Sequence, residues 1–179
     1  MALILVVFVA VYLCAGIIYL GLRKEGYSHI KHTISELGEH GARDEKIVGY
    51  GLFLMVGLLL IALAILLHAD ENAAGLAVSI AVGYIVAAFF PCDVGSPSGG
   101  SWKQQIHNLG GFIEYAGGVY FLMRASENGM QLFSVDFKTF GLIIIGCIIV
   151  VSIPKNPVRG LAQRIAELLL FSCLAYLTA

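Results

Sequence analysis

Six long stretches of the chain carry almost no charge, and they decide its fold class. They run over residues 2–22, 47–68, 73–92, 107–124, 137–153 and 158–178. An α-helix rises about 1.5 Å per residue, so about 20 residues cross a hydrocarbon layer roughly 30 Å thick. Backbone N–H and C=O groups find no water in lipid, so continuous apolar runs of this length read as helices. The fifth stretch is short and the sixth contains Arg164 and Glu167, which leaves five spans as the alternative count. Pro-marked breaks at 91–97 and 154–157 separate the later stretches and favour six. The expectation is an all-α polytopic membrane protein, one domain over residues 1–179, folded as a compact bundle of six transmembrane helices.

Composition agrees. The chain is 59% hydrophobic and 13% charged, whereas a soluble domain averages about 45–50% apolar and about 25% charged residues. Eleven Lys and Arg stand against 12 Asp and Glu, a net charge of −1 with no long basic run. That balance excludes nucleic acid as a partner and leaves the lipid bilayer as the main one. The N-terminus lacks the basic region and small-residue cleavage site of a signal peptide, so residues 2–22 read as a retained span. All Lys and Arg except Arg124 and Lys138 fall on the loops 23–46, 93–106 and 154–164. The positive-inside rule places those loops in the cytoplasm and both termini on the non-cytoplasmic side. Many of the 21 glycines lie inside spans, Gly49, Gly57, Gly83, Gly110 and Gly117 among them. In lipid they let helix backbones approach closely. The four cysteines form no C-x-x-C pair and read as small buried hydrophobes.

The polar residues gather on one side. In the first long loop Tyr27, Ile30, Ile34 and Leu37 share one helical face, while His32, Ser35, Glu36 and Glu39 share the other. Thr33 and Glu36 also match a capping box. Asp93 falls at the C-terminal end of the third span, where the helix dipole disfavours an acid. It therefore wants a cation, a protonated histidine or a metal. His107 opens the fourth span at a positive dipole end, which keeps an imidazole neutral and able to act as base or ligand. Farther along, Glu114 shares a helical stripe with His107, and Arg164 and Glu167 lie in the sixth span at comparable depth. Charged groups so deep face the bundle interior and pair, so Glu114, Arg164 and Glu167 are expected to meet there, as a structural ion pair or as a ligand site.

Several of these residues carry a resemblance. The stretch Thr33-Ile34-Ser35-Glu36-Leu37-Gly38, then Phe90-Pro91-Cys92-Asp93, His107 opening the next span, and Gly160-Leu161-Ala162-Gln163-Arg164-Ile165 resemble one family over nearly the whole chain. It is the six-helix prokaryotic membrane-protein family catalogued as domain of unknown function 998. The resemblance implies a six-helix fold, a multi-pass protein of the prokaryotic plasma or inner membrane, and a polar cluster near Ser35, Glu36, Asp93, His107 and Arg164. A more distant resemblance is to the alkaline ceramidase and adiponectin-receptor superfamily, seven-helix proteins whose Ser, Asp and His residues hold zinc. It implies a zinc site, for which Asp93, His107 and His40 are the candidate ligands here. This chain has one helix fewer, and no histidine in its last span.

Three functions fit these residues. The first is a lipid-directed, metal-assisted hydrolase, with Ser35, Glu36, Asp93 and His107 as the catalytic set acting on a lipid or small amphiphile. The second is binding or transport of a proton, small solute or lipid through a cavity lined by Glu114, Arg164 and Glu167, with a homo-oligomer as one way to build a pathway. The third is a structural accessory subunit whose polar cluster locks the loops onto the bundle. Stoichiometric metal lost on His107→Ala marks the first, flux lost on Glu114→Gln the second, and a lowered melting temperature alone the third.

Overall fold

The first apolar stretch builds α1 (Ala2–Arg23), which buries Val6, Val9, Leu13, Ile17 and Leu20 at three- and four-residue spacing. Its other face leaves Ile4, Phe8, Val11 and Ile18 more than half exposed. The computed structural model describes residues 1–179, and five further helices follow. Helix α2 (Ile47–Leu66) opens as a π-helix over Ile47–Leu54 and becomes α-helical at Met55. Glycines lie in that wide turn: Gly49 rests against the Ala88 carbonyl, and the carbonyl of Gly51 accepts from the Tyr12 hydroxyl.

Side-chain caps start the next three helices. Asp70 accepts from the N–H groups of Asn72 and Ala73, both at 3.0 Å, to open α3 (Glu71–Phe89). Ser101 accepts from the Gln104 N–H at 3.2 Å to open α4 (Trp102–Glu127). This cap starts the helix five residues before the expected position, so His107 lies in its second turn. A short hairpin, β1 (Gln131–Leu132) and β2 (Val135–Asp136), occupies the loop after α4; it turns at Phe133 and Ser134, which have positive φ. Asp136 then caps α5 (Phe137–Ser152) through the Lys138 N–H. Helix α6 (Arg159–Leu177) follows Val158 and has no side-chain cap.

Helices α1, α2, α3 and α6 are each long and apolar enough to cross a membrane. Helix α5 is apolar but only 16 residues long. Helix α4 has 26 residues but spends several on polar groups. The surface settles the solvent: Phe112, Ile65, Leu168 and Ile149 are each at least 60% exposed, on four different helices. Water-soluble proteins rarely present so continuous an apolar exterior. The protein is an all-α, multi-pass membrane protein.

Close helix contacts are built on glycine. A Cβ at Gly110 of α4 would stand 2.6 Å from Val86 of α3, and one at Gly83 of α3 would stand 2.7 Å from the Glu114 carboxyl carbon. Small residues thus bring α3 and α4 together as membrane packing requires.

Candidate functional site

Three connections meet at one end of the bundle: residues 24–46, 90–101 and 153–158. In the first, Thr33 and Glu36 form the reciprocal capping box their spacing predicts. The Glu36 carboxylate accepts from the Thr33 N–H at 2.9 Å and the Thr33 hydroxyl at 3.0 Å, while the Glu36 N–H donates back at 3.3 Å. The turn they hold is a single 3₁₀ turn, Ser35–Gly38, rather than a longer amphipathic helix. Backbone bonds then stitch the loops together. The His40 N–H donates to the Cys92 carbonyl at 2.8 Å, and the Gly95 N–H donates to Glu39 at 2.8 Å. Lys24 pairs with Glu39 at 2.7 Å.

Helix α6 clamps the same loops. The Leu161 N–H donates to the Ile30 carbonyl at 3.0 Å, and the Gln163 amide oxygen accepts from the Ile34 N–H at 2.7 Å. Arg164 donates to the His32 carbonyl at 3.1 Å and the Tyr27 hydroxyl at 2.7 Å, and stands 3.0 Å from His29 Nδ1. Burial pushes the Tyr27 phenol up to about 12, so it stays neutral.

Between α4, α5, the start of α6 and the two longer loops lies a cleft of about 330 Å³. Ser35, Ser96, Ser98, Asn108, His107, Arg159 and Gln163 contribute its polar wall, and Phe112, Ile148 and Val151 its apolar one. No Asp or Glu lines it. Arg159 is buried, 7% exposed, and donates to the carbonyls of Gly95 at 2.9 Å and Ser96 at 2.7 Å. Its Nε is buried without a partner, and no carboxylate pairs with it. It is also the first residue of α6, where the helix dipole is positive and a cation is disfavoured. The site therefore holds an uncompensated positive charge. His107 is 9% exposed, and its Nδ1 lies 2.9 Å from the Phe90 carbonyl. A carbonyl only accepts, so Nδ1 carries a proton, and the neutral form of the ring has its lone pair on Nε2.

A second polar group lies deeper. Glu167 of α6 accepts from Tyr115 of α4 at 2.6 Å and from Tyr84 of α3 at 3.0 Å. Gln163 donates to the Tyr115 hydroxyl at 3.3 Å. Glu114 faces the same small cavity as Glu167, and its Oε1 is buried with no partner.

The family described as "Protein of unknown function (DUF998)" matches residues 5–179. The chain belongs to this family. No curated protein and no solved structure matches the chain. The six helices agree with the fold the resemblance implies, and the comparisons do not show the more distant resemblance.

In this DUF998 protein the expected site residues part company. Ser35 and His107 share the cleft. Asp93 does not line it. Both Asp93 carboxylate oxygens are taken by Ser101, from its N–H and its hydroxyl, each at 2.7 Å, and these bonds lower the acid from its ordinary value. The cation it was expected to need is replaced by two neutral donors, so no Asp93–His107 pair forms. Glu36 is likewise occupied by Thr33 and lies behind the cleft. His40 is exposed and stands 3.7 Å from Glu45. Asp93, His107 and His40 are not a ligand set, and no three His, Cys, Asp or Glu side chains converge as one. Arg164 turns outward to the loop at 27–32, so only Glu114 and Glu167 meet inside. Sequence reasoning passed over Arg159, Tyr84, Tyr115 and Gln163. Arg159 counts there only as one more positive-inside charge, although its place two residues after Pro157, at a helix start, is a readable anomaly.

His29 makes the docked loop sensitive to pH. Burial, then the neighbouring Arg164 guanidinium, lower the His29 imidazole from its ordinary value. A histidine lowered in the fold favours folding above its ordinary range, and that contribution is lost as pH falls through it. The melting temperature is expected to drop from about pH 8 to about pH 5, the range of histidine titration, and His29→Gln to remove part of the slope. An unchanged slope in the variant refutes this assignment.

Proposed function

We propose that the protein binds an anionic amphiphile, a lipid or lipid-like molecule with a phosphate-bearing headgroup, in the cleft at the cytoplasmic face of a prokaryotic cell membrane. One observation carries the reading: Arg159 is buried without a counter-charge, at a helix start that repels it, in a cleft free of acids. A buried guanidinium is normally paired, and its planar fork matches a phosphate in two parallel hydrogen bonds. The hydroxyls of Ser35, Ser96 and Ser98 supply neutral donors around the anion. Phe112 and Ile148 continue the wall toward the lipid-facing surface, where an acyl chain belongs. The cytoplasmic placement rests on the distribution of Lys and Arg.

The test is thermal stability of delipidated protein in micelles doped with phosphatidylglycerol, phosphatidylcholine or inorganic phosphate. Phosphatidylglycerol is expected to raise the melting temperature by mass action and phosphatidylcholine far less. Equal effects of the two lipids overturn the proposal, and stabilisation by phosphate alone would make the ligand a free anion.

The geometry of His107 favours a second reading, hydrolysis of the bound amphiphile. With its Nδ1 proton held by Phe90, Nε2 is the base that accepts a proton from water or from the Ser35 hydroxyl as that oxygen attacks an ester carbon, and it returns the proton to the departing alkoxide as the ester C–O bond breaks. No carboxylate stands behind the ring, so the Ser-His-Asp arrangement is incomplete. On this reading His107→Gln leaves phosphatidylglycerol binding within about threefold and lowers turnover at least about a hundredfold. Absence of turnover in the wild-type protein reduces the function to binding.

A further inference from the structure

Neither Glu114 nor Glu167 forms an ion pair. The cavity they share is about 20 Å³, room for a single water, and no Lys, Arg or His lines it. The titratable groups that face the pair are Tyr84 from α3 and Tyr115 from α4, both phenols. Glu167 also lines the groove between α1 and α6, with Arg164 and His29, but the Arg164 guanidinium is committed to Tyr27, His29 and backbone carbonyls. Two carboxylates side by side in an apolar bundle repel and are poorly solvated, and one shared proton relieves both costs.

The hydrogen bonds say which acid carries it. Glu167 accepts from two phenols, one on each oxygen, the arrangement that suits a charged carboxylate. Glu114 is 7% exposed and its Oε1 has no donor at all, the arrangement that suits a neutral acid. The bare backbone at Gly83 gives that neutral group its room, since a Cβ there would overlap the carboxyl.

A route to water is present as well. Tyr115 lines the cleft and also donates to Glu167, so its hydroxyl joins the two compartments. We infer that Glu114 and Glu167 form a proton-binding site deep in the bundle, filled and emptied from the cleft through the Tyr115 hydroxyl. In the filling step a hydronium ion in the cleft gives its proton to the Tyr115 oxygen and is left as water. The Tyr115 O–H proton passes to Glu167, and from there to Glu114. One proton enters, the phenol is restored and nothing is oxidised. The site stands whether or not the cleft takes an anion.

Infrared spectroscopy of the full-length protein in hydrated lipid film tests this without any ligand. The wild type is expected to show the C=O band of a protonated carboxylic acid at neutral pH, absent in Glu114→Gln and retained in Glu167→Gln. Transfer to D₂O shifts that band, and Tyr115→Phe is expected to slow the shift at least about a hundredfold, the scale on which a positioned proton relay matters. A wild type with no such band overturns the site, as does a band that survives in Glu114→Gln. Equal exchange rates in Tyr115→Phe and wild type overturn the route, and this comparison decides if Glu114→Gln does not fold.

Discussion

Replacing Arg159 by methionine is expected to cost phosphatidylglycerol binding more than about a hundredfold while leaving the fold of the ligand-free protein intact. Each hydrogen bond from a guanidinium to a charged acceptor contributes about 1.5–3 kcal/mol. A forked pair therefore loses at least about 3 kcal/mol, and every 1.4 kcal/mol is about tenfold in affinity. Stability moves little because two effects oppose. The variant leaves the Gly95 and Ser96 carbonyls without their donors, at about 1 kcal/mol each. It also removes a buried, unpaired charge from the positive end of α6, and replacing buried charge by an apolar side chain of similar size is often neutral or stabilising. Arg159→Lys keeps the charge without the planar fork and is expected to bind between the two. Titration of phosphatidylglycerol-doped micelles into each protein measures the difference. Undiminished binding by Arg159→Met would remove the basis of the proposed function.

The bundle was legible because lipid imposes a simple rule on sequence: length and apolarity alone name a spanning helix. Asp70, Ser101 and Asp136, each acting through one or two backbone contacts, then set where helices start. The site was legible only in part, and the reason is that an ionisable group has several ways of being satisfied. Asp93 in the sequence demands a cation, but the Ser101 N–H and hydroxyl meet the same need with neutral dipoles. Glu36 is spent on its capping box. Helical phase correctly places Glu114 and Glu167 on inward faces, yet a long side chain such as Arg164 reaches out of its own stripe to the carbonyl of His32. Conversely, Arg159 matters because of what is missing around it. A deficit of partners is a property of the folded neighbourhood and leaves no motif.

Gly160→Ala is expected to produce the largest loss of stability of any single methyl group added to this chain. A Cβ at residue 160 would stand 2.8 Å from the His32 carbonyl carbon and 2.9 Å from the His29 carbonyl oxygen, with the His32 oxygen nearer still. All three are backbone atoms, so no side chain can swing aside. Either α6 or the segment 29–34 must move. That segment is fastened to α6 by the bond from the Leu161 N–H to Ile30, the bond from the Ile34 N–H to Gln163 and the reach of Arg164 to His32. Overpacking a tight contact costs about 1–3 kcal/mol, and each hydrogen bond stretched beyond use about 1 kcal/mol more. The sum is about 3 kcal/mol or above, measurable as a lowered midpoint in thermal unfolding followed by circular dichroism. Binding should weaken too, because Thr33 and Ser35 form one wall of the cleft and move with the segment. The two substitutions at adjacent residues thus separate architecture from chemistry. Gly160→Ala lowers the melting temperature and binding together, whereas Arg159→Met lowers binding alone. A Gly160→Ala protein as stable as wild type would mean that residues 29–34 do not rest on α6, and the cleft would lose the wall that carries Ser35.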